Sequence, residues 1–224
     1  MPVGDSGALR VPGPHNRWNL CGAVAGVLLL DGRPPTPEAV AATIEGFDGL
    51  PSRCHTIGER DGLTYVDDAL ASNPFATAAS IDSFAGRPLT VILGGADRGV
   101  DPTPLIDALG ARHPVPRVVV VSPGASRLVE ALTTSARSGP IPPVDRVDDL
   151  ADAVALAGRS TPEGGVVLFS PAAPTPTGEG DFATRARIFA RAAGLVGPDG
   201  GPGPGVDSRR VGDNGGGSEP GGSA

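Results

Sequence analysis

Leu89-Thr90-Val91-Ile92-Leu93-Gly94-Gly95-Ala96-Asp97-Arg98-Gly99 (89–99) carries the clearest structural signal in the chain. Five uncharged, mostly branched residues run into paired glycines and a polar loop. So short and so uniformly apolar a run reads as a strand buried on both faces, the habit of a parallel sheet. The glycines let backbone approach a neighbour or a ligand closely, and Arg98 offers a guanidinium suited to a carboxylate. A flexible turn carrying a solvated arginine fits the same residues. A phosphate-binding loop does not, because the Gly-Lys-Ser/Thr ending is absent.

Working outward, Arg117–Val121 and Val166–Phe169 repeat the pattern, and a helix is predicted after each strand. Asn73-Pro74 and Asp101-Pro102 each place a capping side chain before a proline at the first helical position. The first of these helices is expected to turn Phe75, Ala78, Ala79 and Phe84 to one side. Further helices fit 125–136, 148–157 and 182–193, the last with Phe182, Ala186, Phe189 and Ala193 in one stripe. Upstream, 53–57 and 63–67 read as a hairpin around Arg60-Asp61-Gly62. Alternating strands and helices predict an α/β fold: a Rossmann-like, mostly parallel wound sheet with flanking helices. Ligands in such sheets sit beyond the carboxyl ends of the strands, which selects the loops 67–73, 94–101, 122–126 and 170–181.

The amino-terminal part reads differently. Residues 15–30 and 37–47 suit two helices with no strand of their own, the end of another domain, and Gly49-Leu50-Pro51 suits a linker. The division expected is 1–48 as the remnant of a central domain, 49–196 as the wound domain, and 197–224 as a disordered Gly/Pro-rich tail.

Composition narrows the function. The net charge of −7 argues against nucleic acid and anionic membranes as partners. All 18 basic residues are arginine, consistent with codon bias in a GC-rich genome, so any cationic contact to an anion here uses guanidinium. Cys21 and Cys54 have no metal or disulfide spacing, and a reduced, cytoplasmic setting is the simplest reading. The longest apolar stretch, 21–30, is far short of a bilayer span.

Each candidate loop admits a bland reading beside the functional one. Asp67 and Asp68 suit a nucleotide–metal or amine site, or merely end a strand before a helix capped by Ser72 or Asn73. The 170–181 loop, rich in small residues, suits a binding loop or an ordinary connection. The 122–124 loop carries no distinctive group and reads as structural. His15-Asn16-Arg17-Trp18-Asn19 opens the first helix, where Asn16 suffices as a cap. His55 and His113 lack partners at catalytic or metal spacing, and no nucleophile–base arrangement is present.

Taken in order, Pro12-Gly13-Pro14-His15-Asn16-x-x-Asn19, Gly49-Leu50-Pro51-Ser52-Arg53, Asp67-Asp68-Ala69-Leu70-Ala71-Ser72-Asn73-Pro74, Gly94-Gly95 with Asp97-Arg98, and Ser170-Pro171-Ala172 with Phe182-x-x-Arg185 resemble the Mur ligases. The resemblance spans about residues 8–195. The Ala71-Ser72-Asn73-Pro74 form is closest to the Ala-Thr-Asn-Pro of the glutamate-adding branch. It implies a ligase reaction: ATP phosphorylates the carboxylate of UDP-N-acetylmuramoyl-L-alanine, and the amine of glutamate attacks the acyl phosphate. Mg2+ would neutralise the phosphates. Carried over by position, Asn19, Arg53 and Asp68 would contact ATP, while Ser72, Arg98, Thr175 and the region of Phe182 would hold glutamate.

Departures from the family pattern fall near the amino-acid pocket. Arg98 replaces a lysine, Ala69-Leu70 a serine-lysine, Ser52 a histidine, and Ala172-Ala173-Pro174-Thr175 an Ala-Cys-Ala-Ser. They leave the handedness of the glutamate open. The family's uridine-nucleotide domain and Gly-Lys-Thr loop are expected to precede residue 1, whether lost to a shifted start codon, a split gene or decay. Such a piece is expected to be inactive alone and to need an amino-terminal chain as partner. A non-catalytic nucleotide- or amino-acid-binding module is the alternative.

Overall fold

The computed structural model describes residue 9 and residues 11–122, 125–134, 142–197 and 203. Two helices come first, α1 (Pro14–Asp31) and α2 (Pro37–Glu45). Then follow β1 (His55–Arg60), β2 (Leu63–Asp67), α3 (Pro74–Asp82), β3 (Leu89–Leu93), α4 (Thr103–Gly110), β4 (Arg117–Val121) and α5 (Ser126–Thr134). The remaining elements are β5 (Val144–Val147), α6 (Leu150–Ser160), β6 (Val166–Phe169) and α7 (Phe182–Ala192). All six strands form one sheet in the order β1-β2-β6-β3-β4-β5. Only β1 runs antiparallel, joined to β2 through Asp61 and Gly62, both with positive φ, as a two-residue hairpin of this kind requires. The wound, mostly parallel sheet expected from the sequence is what forms.

Period-two alternation sorts the strand residues between two cores. Val66, Val91, Leu93, Val118, Val120, Val166 and Leu168 face α3, α4 and α5. Tyr65, Ile92, Val119, Val167 and Phe169 face α6 and α7. Helices cover both faces, which is why the central strands are apolar throughout. Phe189 of α7 anchors the second core, its ring centroid 5.4 Å from that of Phe169 and 6.2 Å from that of Tyr65.

Several local expectations need correction. The buried face of α3 is Pro74, Thr77, Ser80 and Ile81, with Phe84 just beyond; Phe75 is exposed. Thr77 and Ser80 go inward because a buried carboxylate and a buried serine await them, as described below. Helix α4 starts at Thr103, one residue after Pro102, and the Asp101 carboxylate accepts from the Thr103 N–H. Strand β5 was not foreseen. It is a four-residue edge strand with an Asp-Arg centre, too short and polar to signal itself. Asn73, Asp149 and Asp181 all cap their helices through the side chain. The expected tail, apart from Gly197 and Gly203, lies outside the described residues, as do Pro123, Gly124 and the end of the helix expected over 125–136.

Helix α1 stands apart. None of its 18 residues is buried, and Trp18, Leu29 and Leu30 are 78%, 85% and 87% exposed. No helix among the described residues is long and apolar enough to cross a membrane.

Arg112, just past α4, ties that helix's end to the end of α3 and the connection after it. Its Nη1 donates to the Ile81 carbonyl at 2.9 Å, and its Nη2 donates to the carbonyls of Phe84 and Arg87. A cation among the last carbonyls of a helix also meets the negative end of its dipole. Replacing Arg112 with Met removes three hydrogen bonds from a charged donor, although the Ile81 and Phe84 carbonyls keep backbone N–H donors, and the expected loss is about 3 kcal/mol. Urea denaturation followed by circular dichroism checks it.

Candidate functional site

The insertion of β6 between β2 and β3 brings the ends of three strands side by side. Hydrogen bonding continues past the strands themselves. The Ser170 N–H donates to Ile92, Gly94 N–H to Pro171, and Ala96 N–H to Pro174. The approach is close enough that a side chain at Gly95 has no room: a Cβ there would lie 2.5 Å from the Pro174 carbonyl oxygen. Gly94, at φ +134, is similarly pressed against Val121.

Beneath these loops lies a network of buried polar groups. Asp68 accepts from the Cys54 N–H at 2.9 Å on Oδ1, and from the Ser80 and Ser170 hydroxyls, each at 2.7 Å, on Oδ2. Thr77 Oγ1 lies 2.8 Å from Ser170 Oγ. Asp67 accepts from Ser52 Oγ at 2.8 Å and from the Ala69 N–H at 3.0 Å. Two carboxylates thus join the linker, the ends of β2 and β6, and α3. Ser52 and Cys54 both adopt positive φ to reach them, an uncommon backbone state for non-glycine residues.

Burial sets the protonation behaviour of these groups. It lifts the Asp67 and Asp68 carboxyls above the usual range, against the opposing pull of the serine hydroxyls and backbone N–H donors. Burial, helped by the charge of Asp68, pushes the Cys54 thiol up to about 12, so it stays protonated. Cys21 is exposed and also free.

Arg185, foreseen only as part of a motif, proves to be a buried brace. Its Nη2 donates to the Gly94 carbonyl at 2.6 Å, and its guanidinium lies 5.0 Å from the centre of the Phe169 ring. It therefore clamps the β3 loop to the end of β6 by a charge-assisted hydrogen bond and a cation–π contact.

Above the network opens a cleft of about 250 Å³. Ser72, the Gly94-Gly95-Ala96-Asp97-Arg98 loop, Arg127 and the Pro171-Ala172-Ala173-Pro174 run line it. Ser72 and Arg98 are both exposed, and come together from loops after different strands. Thr175 is half-buried and lies one residue past the lining. Phe182, at the start of α7, is 38% exposed and is not in the wall. Asp68 is buried below, its oxygens already holding three donors, and does not face the cleft. Arg127 was missed in the sequence; an arginine in the first turn of the helix following a buried strand was the available signal.

A second cavity, of about 490 Å³, lies between α1, α2 and the linker. Asn19 and Arg53 both line it, with Leu20, Ile44, Phe47 and Leu50 forming apolar walls. The cavity is an apolar slot with an amide and a guanidinium at its edge, the general make-up of a small-molecule pocket. Among the described residues no group of three His, Cys, Asp or Glu is placed to hold a metal ion.

Comparison with known proteins agrees with this architecture. The family described as Mur ligase, glutamate ligase domain, matches residues 52–173, more than half of the chain. The chain belongs to the Mur ligase family. It is 43% identical over 199 residues to the UDP-N-acetylmuramoyl-L-alanine–L-glutamate ligase of Salinispora tropica, covering 86% of this chain and 42% of the relative. Identity to the enzyme of the same name from Xanthomonas oryzae pv. oryzae is 34%, over 85% of this chain and 40% of the relative. The chain thus spans about two-fifths of the length of these curated relatives. Among solved structures, UDP-N-acetylmuramate-alanine ligase MurC from Thermotoga maritima superposes with a TM-score of 0.57 at 23% identity, covering 82% of this chain and 38% of that one. Mycobacterium tuberculosis folylpolyglutamate synthase complexed with ADP superposes with a TM-score of 0.56, also at 23% identity, covering 83% and 41%. Those two likenesses establish the fold.

Two measurements test the site as built. Between the ordinary aspartate value of about 3.9 and the elevated values of Asp67 and Asp68, the folded state holds more protons than the unfolded chain. Their contribution to stability is therefore fullest below that window and declines as pH rises through it. Urea unfolding over a pH series should show a flatter profile for an Asp67→Asn/Asp68→Asn variant than for wild type. Gly95→Ala, whose Cβ meets backbone oxygen, should part the β3 and β6 loops and weaken any ligand of the cleft at least tenfold, about 1.4 kcal/mol; titration calorimetry reads it.

Proposed function

We propose that this chain is the amino-acid-binding portion of an ATP-dependent ligase that joins L-glutamate to UDP-N-acetylmuramoyl-L-alanine in peptidoglycan precursor synthesis. The observation that carries the reading is the cleft. Ser72 and Arg98, distant in sequence, meet at the carboxyl rim of a wound sheet in a chain 43% identical to a ligase of that name. The names of the relatives support the L form, a choice the sequence alone leaves open.

The division of labour follows from chemistry. Amide formation needs an activated carboxyl and an amine held in line with it, and the phosphoryl group from ATP makes the carboxyl a good acceptor. The part of this chain is positional. Arg98 supplies the charge for a carboxylate of the amino acid, Ser72 a hydroxyl donor, and the Gly94–Ala96 backbone a close wall. The cavity holding Asn19 and Arg53 receives the base and sugar of ATP. Mg2+ would enter with the nucleotide, whose phosphates supply much of its oxygen coordination.

Residues 1–48 are read as part of an ATP-binding domain, 49–196 as the amino-acid-binding domain, and 197–224 as a tail. The exposed apolar surface of α1 favours this division, because a helix covering nothing normally belongs against another surface. A phosphate-binding loop outside these 224 residues would complete the enzyme, which would work in the cytoplasm. These 224 residues contain neither Gly-Lys-Ser/Thr nor any lysine to grip a transferring phosphoryl group.

The expected behaviour is binding without turnover. In titration calorimetry the chain should bind L-glutamate, and D-glutamate more weakly. With ATP, magnesium, UDP-N-acetylmuramoyl-L-alanine and L-glutamate together it should release no phosphate. Phosphate release dependent on both acceptor and glutamate would overturn the division of labour; no preference for L-glutamate would overturn the specificity.

A further inference from the structure

Arg98 can answer only one of the two carboxylates that glutamate carries. The cleft holds a second guanidinium. Arg127, the second residue of α5, lines the same wall as Arg98 and Ser72, arriving from the far side after β4. We propose that Arg127 is the second carboxylate receptor of the cleft and determines its preference for a dicarboxylic amino acid. This rests on the reading of the cleft as the L-glutamate site.

Its surroundings explain why it is held ready. Nε of Arg127 lies 3.3 Å from Asp97 Oδ2, and Nη2 donates to the Val100 carbonyl at 2.8 Å. The other oxygen of Asp97, Oδ1, accepts from the Gly99 N–H at 2.8 Å. Asp97 is therefore fixed by its own loop, and through it that loop fixes Arg127. The residue next to Asp97 is Arg98. One carboxylate thus ties the Arg127 guanidinium to the loop that carries Arg98.

The arrangement leaves donors to spare. Asp97 and Val100 engage Nε and Nη2, and Nη1 with its two hydrogens is left for a ligand. Two guanidiniums and one carboxylate give this wall a net positive charge, complementary to glutamate, whose two carboxylates outweigh its one ammonium. A guanidinium restrained at two of its nitrogens has less freedom to lose on binding than a loose one. A purely structural role explains the placement poorly. The Arg127 side chain is 50% exposed and Asp97 36%, and ion pairs that open to water contribute little to folding.

A neutral analogue of the ligand separates the possibilities. L-glutamine matches L-glutamate in length and shape and lacks only the far charge. Wild-type chain, Arg127→Gln and Arg127→Met are titrated with L-glutamate and with L-glutamine, with melting curves to confirm folding. Two neutral variants are used so that poor folding of one leaves the other readable. L-glutamate affinity is expected to fall at least tenfold in either variant while L-glutamine affinity stays within about twofold, a discrimination carried by one charge-assisted contact. Arg127→Lys should fall between wild type and the neutral variants. Equal loss for both ligands, or no loss for L-glutamate, would refute a receptor role for Arg127 while leaving the cleft as the amino-acid site. Failure of the wild-type chain to bind L-glutamate would remove the proposed function, and this inference with it.

Discussion

The last strand in sequence lies inside the sheet, between the second and the third. Strand β6 pairs with β2 on one side and β3 on the other, both parallel. Residues 67–74, 94–98 and 170–174 have no local reason to meet. Until β6 is inserted, β2 and β3 have no common neighbour and the two rim loops that form the cleft do not face each other. A contact of such long sequence separation is costly to close, and it must be repaid by the interactions it completes.

Those interactions are unusual in being polar at their centre. Ser170, one residue beyond β6, is wholly buried and donates to Asp68 beyond β2. Burying a carboxylate is expensive unless its lone pairs are satisfied, and a half-satisfied network is worse than an apolar one. Here Cys54, Ser80 and Ser170 each contribute a donor, so Asp68 is content only when linker, helix α3 and β6 are all in place. An apolar residue there would tolerate slippage between these parts; the carboxylate does not. Arg185 acts similarly from the opposite face, where burial works against its charge and the Gly94 carbonyl and Phe169 ring work for it.

How much of this was legible in the sequence varies with the kind of signal. Buried parallel strands declare themselves through runs such as Val118-Val119-Val120, and helix starts through Asn73-Pro74, because these follow from local rules. The face of α3 was misread because Ala78 and Ala79 looked apolar and Thr77 and Ser80 polar. Their burial depends on Asp68 and Ser170, and Ser170 lies 93 residues after Thr77, beyond any local pattern. Strand β5 escaped because an edge strand needs no continuous apolar run. In the cleft, Ser72 and Arg98 could be named from ordered motifs. Arg127 could not, since its neighbours are set by strand order and not by spacing. Asp68 was readable as a carboxylate at a strand end, but its inward direction was not.

The absence of lysine gives the cleft a particular chemistry. An ammonium on a flexible stem is a point charge that finds a carboxylate from many directions. A planar guanidinium holds its donors in a fixed fork, and its position must be set in advance. With arginine at both 98 and 127, the cleft needs something to orient the planes, and Asp97 with the Val100 carbonyl does so for Arg127. The Gly94-Gly95 pair then has a second meaning besides close packing. It lets the β3 loop sit flat against the β6 loop, so that the segment carrying Asp97 leaves the sheet from a fixed height. Small residues at 172–173 and glycine at 94–95 set where the wall stands; the arginines set what it recognises. Substitutions that enlarge the former would misplace the latter even with every charged group retained.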